Sequence, residues 1–586
     1  MEPTRLPFDV TPSSLFSAPA SKLVRPLDPL LTRMLFREQL RRSIPAQDVS
    51  PSGAVGFARQ LLGNLDIRVR ISAADRTRIP RRGPAVVVAN HPFGFLEGLL
   101  LLTLLEEIRP DYRIVANHLL ASLPALAERM ILVNPFEQRR HVENRQALRE
   151  CLTFLGKGGL VVMFPAGEVS HLNWKQRAVV DPPWNPAAAR FARKAACLVL
   201  PLFFVGANSP GFQLAGTIHP RLRTLNLLNE LVKKTRQEIE IRTGTPVTPA
   251  TLRAFESHAA ASEYLRARTY LLRSRRTLVQ VNRNPAAFRK PRPIAPPIAS
   301  AHLARELAAL PPESLLAANA EFQVYSAAAN QIPHTLAEIG RCREVAYRDV
   351  GEGTGRERDL DRFDEYYRHI LLWHKEDQSV AGAYRLVATP DILPERGIAG
   401  LYSSTLFRYD PAFFESIGPA VELGRSFICR KYQRHYAPLL LLWKGILAHV
   451  ARRPECGVLF GAVSVSREYQ TLSRTLLFNF LDGQISEDAR NWVRPRRAFR
   501  SQVLLPKHVE QLSRLLPSLE ELSASLQDIE ADAKGVPVLI RQYLKAGGRL
   551  LGFNVDRKFS NALDVLVMAD LRTARGSELV QRASAS

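Results

Sequence analysis

From Pro84 onward, short apolar runs alternate with longer segments of mixed polarity. Ala85 to Ala89 (AVVVA), Leu160 to Phe164 (LVVMF) and Leu198 to Val205 (LVLPLFFV) are apolar and largely β-branched at successive positions, which predicts buried strands. Arg113 to Ala116 predicts a further short strand, and residues 98–108 and 144–155 predict helices. In the second half, Val380 to Val387, Gly400 to Leu406 and Val458 to Val465 read as strands, and residues 437–451 as a buried helix. Each half is therefore expected to be α/β or α+β.

Residues 284–300 interrupt the pattern with Pro285, Pro291, Pro293, Pro296 and Pro297. Proline lacks an N–H and fixes φ, so this stretch is read as a semi-extended linker. The expected organisation is an N-terminal segment 1–59, a first domain 60–283, a linker and connecting helix 284–317, a second domain 318–575 and a tail 576–586. The charge balance changes at the same place. Residues 1–300 hold 43 Lys and Arg against 22 Asp and Glu, whereas residues 301–586 hold 37 against 34. Such asymmetry favours a first domain seated on an anionic membrane surface over a nucleic-acid coat.

Residues 29–42 fit a basic amphipathic helix, packed on its own domain or on a membrane. Residues 253–276, dense in arginine, are read as a solvated helix face. The longest apolar stretch, Gly98 to Leu105, is far short of the ~20 residues a membrane span needs. Five dispersed cysteines without a CxxC argue against a disulfide framework or a metal site and fit a reducing compartment. The start of the chain shows no secretory signal pattern. The expected location is cytoplasmic, peripheral on the inner face of the cytoplasmic membrane.

Strand AVVVA runs into Asn90-His91-Pro92-Phe93-Gly94-Phe95-Leu96-Glu97. His91 therefore falls at a strand's C-terminal end, where α/β proteins place their sites. Glu97 can fold back from the next helix onto the imidazole, fix its tautomer and raise its basicity. That is an apparatus for taking a proton from a hydroxyl. A second strand ends in Phe164-Pro165-Ala166-Gly167-Glu168-Val169-Ser170, and a third carries Leu200-Pro201-Leu202. Together these resemble the glycerolipid acyltransferase superfamily, with its NHxxxxD, FPEGTRS and late apolar-Pro-apolar strand, over residues 60–215. The resemblance implies His91 as general base, Glu97 as its partner, a thioester donor, and Asn90, Gly167 and Glu168 around the acceptor. The chain departs from the pattern in three places. The acid is a Glu one residue later than usual, and Ala166 and Val169 replace the motif's Glu and Arg. Arg139 and Arg140 are candidate substitute anion contacts.

In the second half, residues 343–386, 420–446 and 536–571 follow in the order and spacing of acyl-carrier-protein-dependent N-acyltransferases of the acetyltransferase-like fold, which they resemble over residues 318–571. Forming an amide from an amine requires a proton acceptor, and Glu422 is the candidate. Arg385 and Arg425 are candidates to bind a substrate carboxylate or to position Glu422. Asp361 and Asp364 are candidates to hold an amino or other cationic group. The stretch Arg430 to Ala437 has no glycine and is basic, which favours an acidic carrier protein over coenzyme A as donor.

Two such halves in one chain resemble the bifunctional ornithine lipid synthases. The resemblance implies N-acylation of ornithine by a 3-hydroxyacyl carrier protein, then O-acylation of the new hydroxyl in the lyso-ornithine lipid. It implies no metal, no tightly bound cofactor and no nucleic acid. Two other readings stay open: a lysophospholipid acyltransferase with a degenerate regulatory second half, and a non-catalytic basic membrane scaffold.

Overall fold

The computed structural model describes residues 53–117, 124–133, 141–213, 220–275, 291–433, 437–500, 507–545 and 547–573. The helix expected at 29–42, the residues Arg139 and Arg140, most of the linker's first half and the tail lie outside them. Among the described residues no helix is long and apolar enough to cross a membrane. The chain divides into two compact units. The first comprises Met1–Arg276 and Leu505–Ala533, and the second Thr277–Leu504 and Lys534–Ser586.

The first unit contains β1 (Arg68–Ile71), β2 (Ala85–Ala89), β3 (Tyr112–Asn117), β4 (Met130–Val133), β5 (Leu160–Met163), β6 (His171–Asn173), β7 (Ala178–Val180), β8 (Leu198–Phe204) and β9 (Glu238–Thr243). Its seven-stranded sheet has the order β1-β9-β8-β2-β5-β3-β4. Strands β8, β2, β5, β3 and β4 run parallel, and β9 turns antiparallel to β8. All five residues of β2 are buried, as a central parallel strand covered on both faces requires. The helix Phe95–Glu106 that follows β2 packs Leu99, Leu100 and Leu102 into the same core as Val87, Val162 and Leu202. β6 and β7 form a separate hairpin. Strands β1 (RVRI) and β9 (EIEIRT) lie toward one edge and escaped the sequence reading, because charged residues occupy alternate positions.

Residues 505–533 depart from the expected organisation. They form the helices Lys507–Leu515 and Leu519–Ile529 and belong to the first unit, not to a continuous domain 318–575. Apolar burial of Leu512, Leu522, Leu526 and Ile529 contributes to this, and so does charge. Arg268, on the helix His258–Leu271, is completely buried. It bonds Glu521 at 2.7 Å and Asp528 at 2.8 Å. Asp528 also accepts from the Thr245 N–H (2.7 Å) and from Arg78 (3.2 Å). Residues 253–276 are thus not a plain solvated face.

The second unit contains β10 (Leu315–Ala318), β11 (Phe322–Ala328), β12 (Arg368–His374), β13 (Ser379–Ala388), β14 (Phe407–Tyr409), β15 (Ala420–Ile428), β16 (Val458–Val465), β17 (Val493–Pro495), β18 (Arg549–Asp556) and β19 (Ala562–Asp570). Its main sheet has the order β10-β11-β12-β13-β15-β16-β19-β18. Neighbours are antiparallel except β15 and β16. Along β12 successive side chains take opposite faces. Ile370 and Leu372 join Leu442 and Ile446 of the helix Ala437–Ala451, while Leu371 and Trp373 join Ile339 of the helix Pro333–Asp349. Gly445 permits the first contact: a methyl there would sit 2.3 Å from Val324.

Residues 400–406 are not the expected strand. Short 3₁₀ turns at Ile398–Gly400 and Tyr402–Thr405 replace it, because the N–H groups of Tyr402 and Ser403 point to the carboxylate of Glu422 rather than to a neighbouring strand.

Removing one partner of a buried ion pair strands the other charge and costs about 3–5 kcal/mol. Asp528→Ala is therefore expected to destabilise the first unit by that order in denaturant titration of the full chain. A change within about 0.5 kcal/mol, the range of ordinary surface substitutions, would show that Arg268 does not depend on the returning segment.

Candidate active sites

His91 leaves the C-terminal end of β2 beside the end of β5. Its ring stacks on Phe164 with centroids 4.4 Å apart. Nδ1 lies 3.3 Å from Oε1 of Glu97, whose side chain is fully buried while the imidazole keeps 18% exposure. Glu97 Oε1 also accepts the Phe93 N–H at 2.6 Å, so the carboxylate is fixed from its own helix turn. The later position of the acid thus does not prevent contact. Gly94 makes the turn at φ 93°, and a methyl there would lie 2.7 Å from Leu227.

Burial by itself lowers the pKa of His91. The charge and hydrogen bond of Glu97, with the charge of Asp181, outweigh it, and the value ends above the ordinary 6.5. Lys234 sits over the Phe93 ring at 5.0 Å. The result is a partly exposed imidazole of raised basicity, backed by a carboxylate.

Asn90 adjoins this site but spends its amide on the fold. It donates to the Phe204 carbonyl at 3.0 Å and accepts the Phe204 N–H at 2.7 Å, clipping β2 to β8. Gly167 and Glu168 are exposed on the turn after β5. Gly167 holds φ 69°, and nothing stands within 4 Å of where its side chain would point. Asp181 carried no sequence signal. It lies ninety residues from His91 and yet accepts the His91 N–H at 3.2 Å.

In the second unit Glu422 is 1% exposed. Its carboxylate accepts the N–H of Tyr402 at 2.9 Å, the N–H of Ser403 at 2.7 Å and the hydroxyl of Tyr367. Glu422 is also the last residue of β15 paired with β16. Both strands continue, to Ile428 and Val465, without further mutual pairing. Just past Glu422 the two strands still touch, since a methyl on Gly461 would lie 2.2 Å from the Leu423 carbonyl oxygen.

Arg385, Arg425, Asp361 and Asp364 come together, but chiefly with one another. Arg385 bonds Asp361 at 2.6 and 3.0 Å and Asp364 at 3.0 Å. Arg343 bonds Asp364 at 2.8 Å and Asp359 at 3.0 Å, and Arg425 reaches Asp361 at 3.1 Å. Against burial, Arg343 and Arg385 hold Asp364 well below the usual carboxylate range. Arg385 stands over the rings of Tyr402 (5.0 Å) and Tyr367 (5.3 Å). The cluster therefore braces the groups that hold Glu422.

Beyond Arg425, which lies over Phe559 at 4.2 Å, three carboxylates are buried, and the charges of Arg425 and Arg474 act on Glu352 and Asp564 against a larger cost of burial. Glu352 accepts Ser464 Oγ at 2.7 Å, and Asp564 accepts Asn554 at 3.3 Å, with Asp556 close enough to repel it. Burial pushes Glu352 up to about 7 and Asp564 well above its ordinary value. Sequence reasoning missed these residues, since each stands alone in an ordinary strand or loop. No group of residues that could hold a metal ion occurs among the described residues.

Both units carry acyltransferase-type domains. A family model described as "Acyltransferase" matches residues 66–277, and one described as "Acetyltransferase (GNAT) domain" matches residues 342–444. The chain is similar to a glycine N(alpha)-acyltransferase of Bacteroides thetaiotaomicron, 32% identical over 170 residues, 27% of this chain and 50% of that protein. It is also similar to a lyso-glycine lipid O-acyltransferase of Phocaeicola vulgatus, 24% identical over 225 residues, 37% of this chain and 78% of that protein. The chain spans about half the length of the curated N-acyltransferases that it matches. Among solved structures it is similar to a 1-acyl-sn-glycerophosphate acyltransferase of Thermotoga maritima (17% identity, 45% of this chain and 96% of that one, TM-score 0.26). Another is a CoA-dependent acyl-homoserine lactone synthase (12%, 44% and 89%, TM-score 0.23).

The raised value of Glu352 has a thermal consequence. A carboxyl whose folded pKa exceeds its unfolded one stabilises the fold below the unfolded value and loses that contribution as pH rises through the folded value. The window runs from 4.5 to about 7. Glu352→Gln is expected to flatten the decline in Tm across this window relative to the native chain. Parallel Tm–pH curves would mean that Glu352 ionises at its ordinary value.

Proposed function

We propose that the chain makes a two-chain amino acid lipid in two steps. The second unit transfers a 3-hydroxyacyl group from a thioester to the α-amine of an amino acid. The first unit then acylates the new 3-hydroxyl. The observation that carries this reading is the pairing of relatives: one is named for N-acylation of an amino acid, the other for O-acylation of the corresponding lyso-lipid, and the chain holds one acyltransferase-type domain for each step.

In the first step the free amine attacks the thioester carbonyl. A C–N bond forms, the C–S bond breaks, and the thiol leaves. Glu422, at the end of the pairing of β15 with β16, is the proton acceptor. In the second step the hydroxyl oxygen attacks another thioester as His91 takes its proton, and Glu97 steadies the imidazolium. The proton then passes to the departing thiolate. Each step yields one free thiol and consumes no metal or redox partner.

Ornithine is the proposed amino acid. The buried carboxylates Glu352, Asp556 and Asp564 suit a substrate with a second ammonium group, which glycine lacks. Acyl carrier protein is the proposed donor, supported by the exposed cations Arg430 and Lys431. Absence of the motif arginine at Val169 supports a hydroxylated acyl amino acid over a phosphate monoester as acceptor.

Lipid analysis of a host expressing the full chain tests the reading. The native chain should yield a new di-acyl ornithine lipid, and Glu422→Gln no aminolipid. His91→Ala should stop at the mono-acyl lipid, since loss of a general base costs ~10²–10⁴-fold. Altered phospholipid acyl chains without aminolipid would favour a lysophospholipid acyltransferase, and an unchanged lipid profile a scaffold. Glycine offered with ornithine should be the poorer acceptor amine.

We further propose peripheral attachment to the inner face of the cytoplasmic membrane, drawn by the basic first half. Vesicles rich in anionic lipid should bind the protein and release at least part of it in high salt, which shortens the Debye length. Retention through salt and carbonate would point to apolar insertion instead.

A further inference from the structure

Asp181 follows directly on the β6–β7 hairpin and heads Asp181-Pro182-Pro183-Trp184. Its carboxylate is buried and held by three neutral donors. Oδ1 accepts the His91 N–H at 3.2 Å and the Ser170 hydroxyl, and Oδ2 accepts the Trp184 indole N–H at 2.8 Å. The Ser170 N–H in turn donates to the His91 carbonyl at 2.8 Å. The main-chain groups of His91 and the last residue of the FPAGEVS turn thus close a ring through one carboxylate. That carboxylate is itself anchored. The Asp181 N–H donates to the Tyr270 hydroxyl at 2.7 Å, and its carbonyl accepts Arg266 at 2.9 Å.

We propose that Asp181 is a positioning residue for O-acyl transfer, joining the His91 loop to the FPAGEVS turn and placing a fixed negative charge beside the imidazole. This rests on the reading of His91 as general base. A buried carboxylate whose oxygens bond no cation is costly; three neutral donors, with Arg266 held on the Asp181 carbonyl, offset that cost without cancelling the charge. Three charged groups lie near His91: Glu97 from the following helix, Asp181 on its main-chain N–H, and Lys234 over the Phe93 ring. Lys234 donates to the Ala207 carbonyl at 2.8 Å. Asp181 and Glu97 both favour the imidazolium. Asp181 therefore shares with Glu97 the task of making His91 basic, and unlike Glu97 it reaches the second motif as well.

The test uses the purified full chain, N-(3-hydroxyacyl)ornithine as acceptor and an acyl carrier protein thioester as donor, with initial rates followed across pH. Asp181→Asn should lower kcat about 10- to 100-fold, the scale of a misplaced catalytic group, with KM for the acceptor little changed. The ascending limb of the rate profile should move to lower pH, because neutral asparagine no longer favours the imidazolium. Ser170→Ala removes the tether but keeps the charge, so kcat should fall while the limb stays in place. Native kcat and an unmoved limb in Asp181→Asn would overturn the inference. If circular dichroism shows that this variant does not fold, native kcat in Ser170→Ala overturns it instead. His91→Ala separates the two failures. Its loss of O-acylation with N-acylation retained upholds the general-base reading whatever Asp181 does. Full O-acylation in that variant removes both.

Discussion

A carboxylate taken out of water must be given donors or a cation, and each unit is organised around carboxylates that meet this demand. In the first unit Glu97 draws in the N–H of Phe93 and the ring of His91. In the second, Glu422 takes two consecutive main-chain N–H groups and a phenol, which bends residues 402–405 into a turn. Asp528 does the same over a longer distance in sequence by satisfying Arg268. These groups shape the backbone near the sites, and apolar packing then fixes it. Replacing any of them acts on conformation and on charge together, so the two effects separate only through measurements such as a pH profile.

The strands set where these carboxylates can act. β2 is covered on both faces and paired on both edges, so the chain that leaves it starts from a rigid point. His91 follows one residue after Asn90, whose amide extends the clip to β8. In the second unit the rigid point is the three-residue parallel pairing of β15 with β16. Glu422 stands where that pairing ends. Both candidate sites thus lie at the end of a paired ladder, which suits a group that must be placed accurately.

Much of this was legible in the sequence where residue type and periodicity act locally. β2 and β16 and the helix Ala437–Ala451 fall where the apolar runs put them, because burial on two faces writes an unbroken apolar signal. The contact of His91 with Glu97 was legible because a strand end and the first turn of the next helix are close in any α/β unit. Asp181 was not, since its partners depend on how a distant hairpin folds back. Glu352, Asp556 and Asp564 were equally silent: each is one acid among many, and only the tertiary fold buries them near one another. The strand expected at 400–406 failed for a related reason, as its N–H groups serve a side chain whose position no local pattern encodes.

The path of the chain constrains the proposed reaction sequence. It leaves the first unit near residue 276, builds most of the second, returns to the first for residues 505–533 and ends in the second. Arg268 makes that return more than a matter of connectivity, because a guanidinium buried with no exposure needs Glu521 and Asp528. The two units therefore do not correspond to two halves that can be parted at the proline-rich linker. A cut there leaves the first unit without the acids that neutralise its core. On the proposed reading this arrangement keeps the two activities on one molecule. A mono-acyl intermediate held at a membrane surface then meets the second site at an effective concentration set by that surface and by the shared chain rather than by the abundance of two separate enzymes.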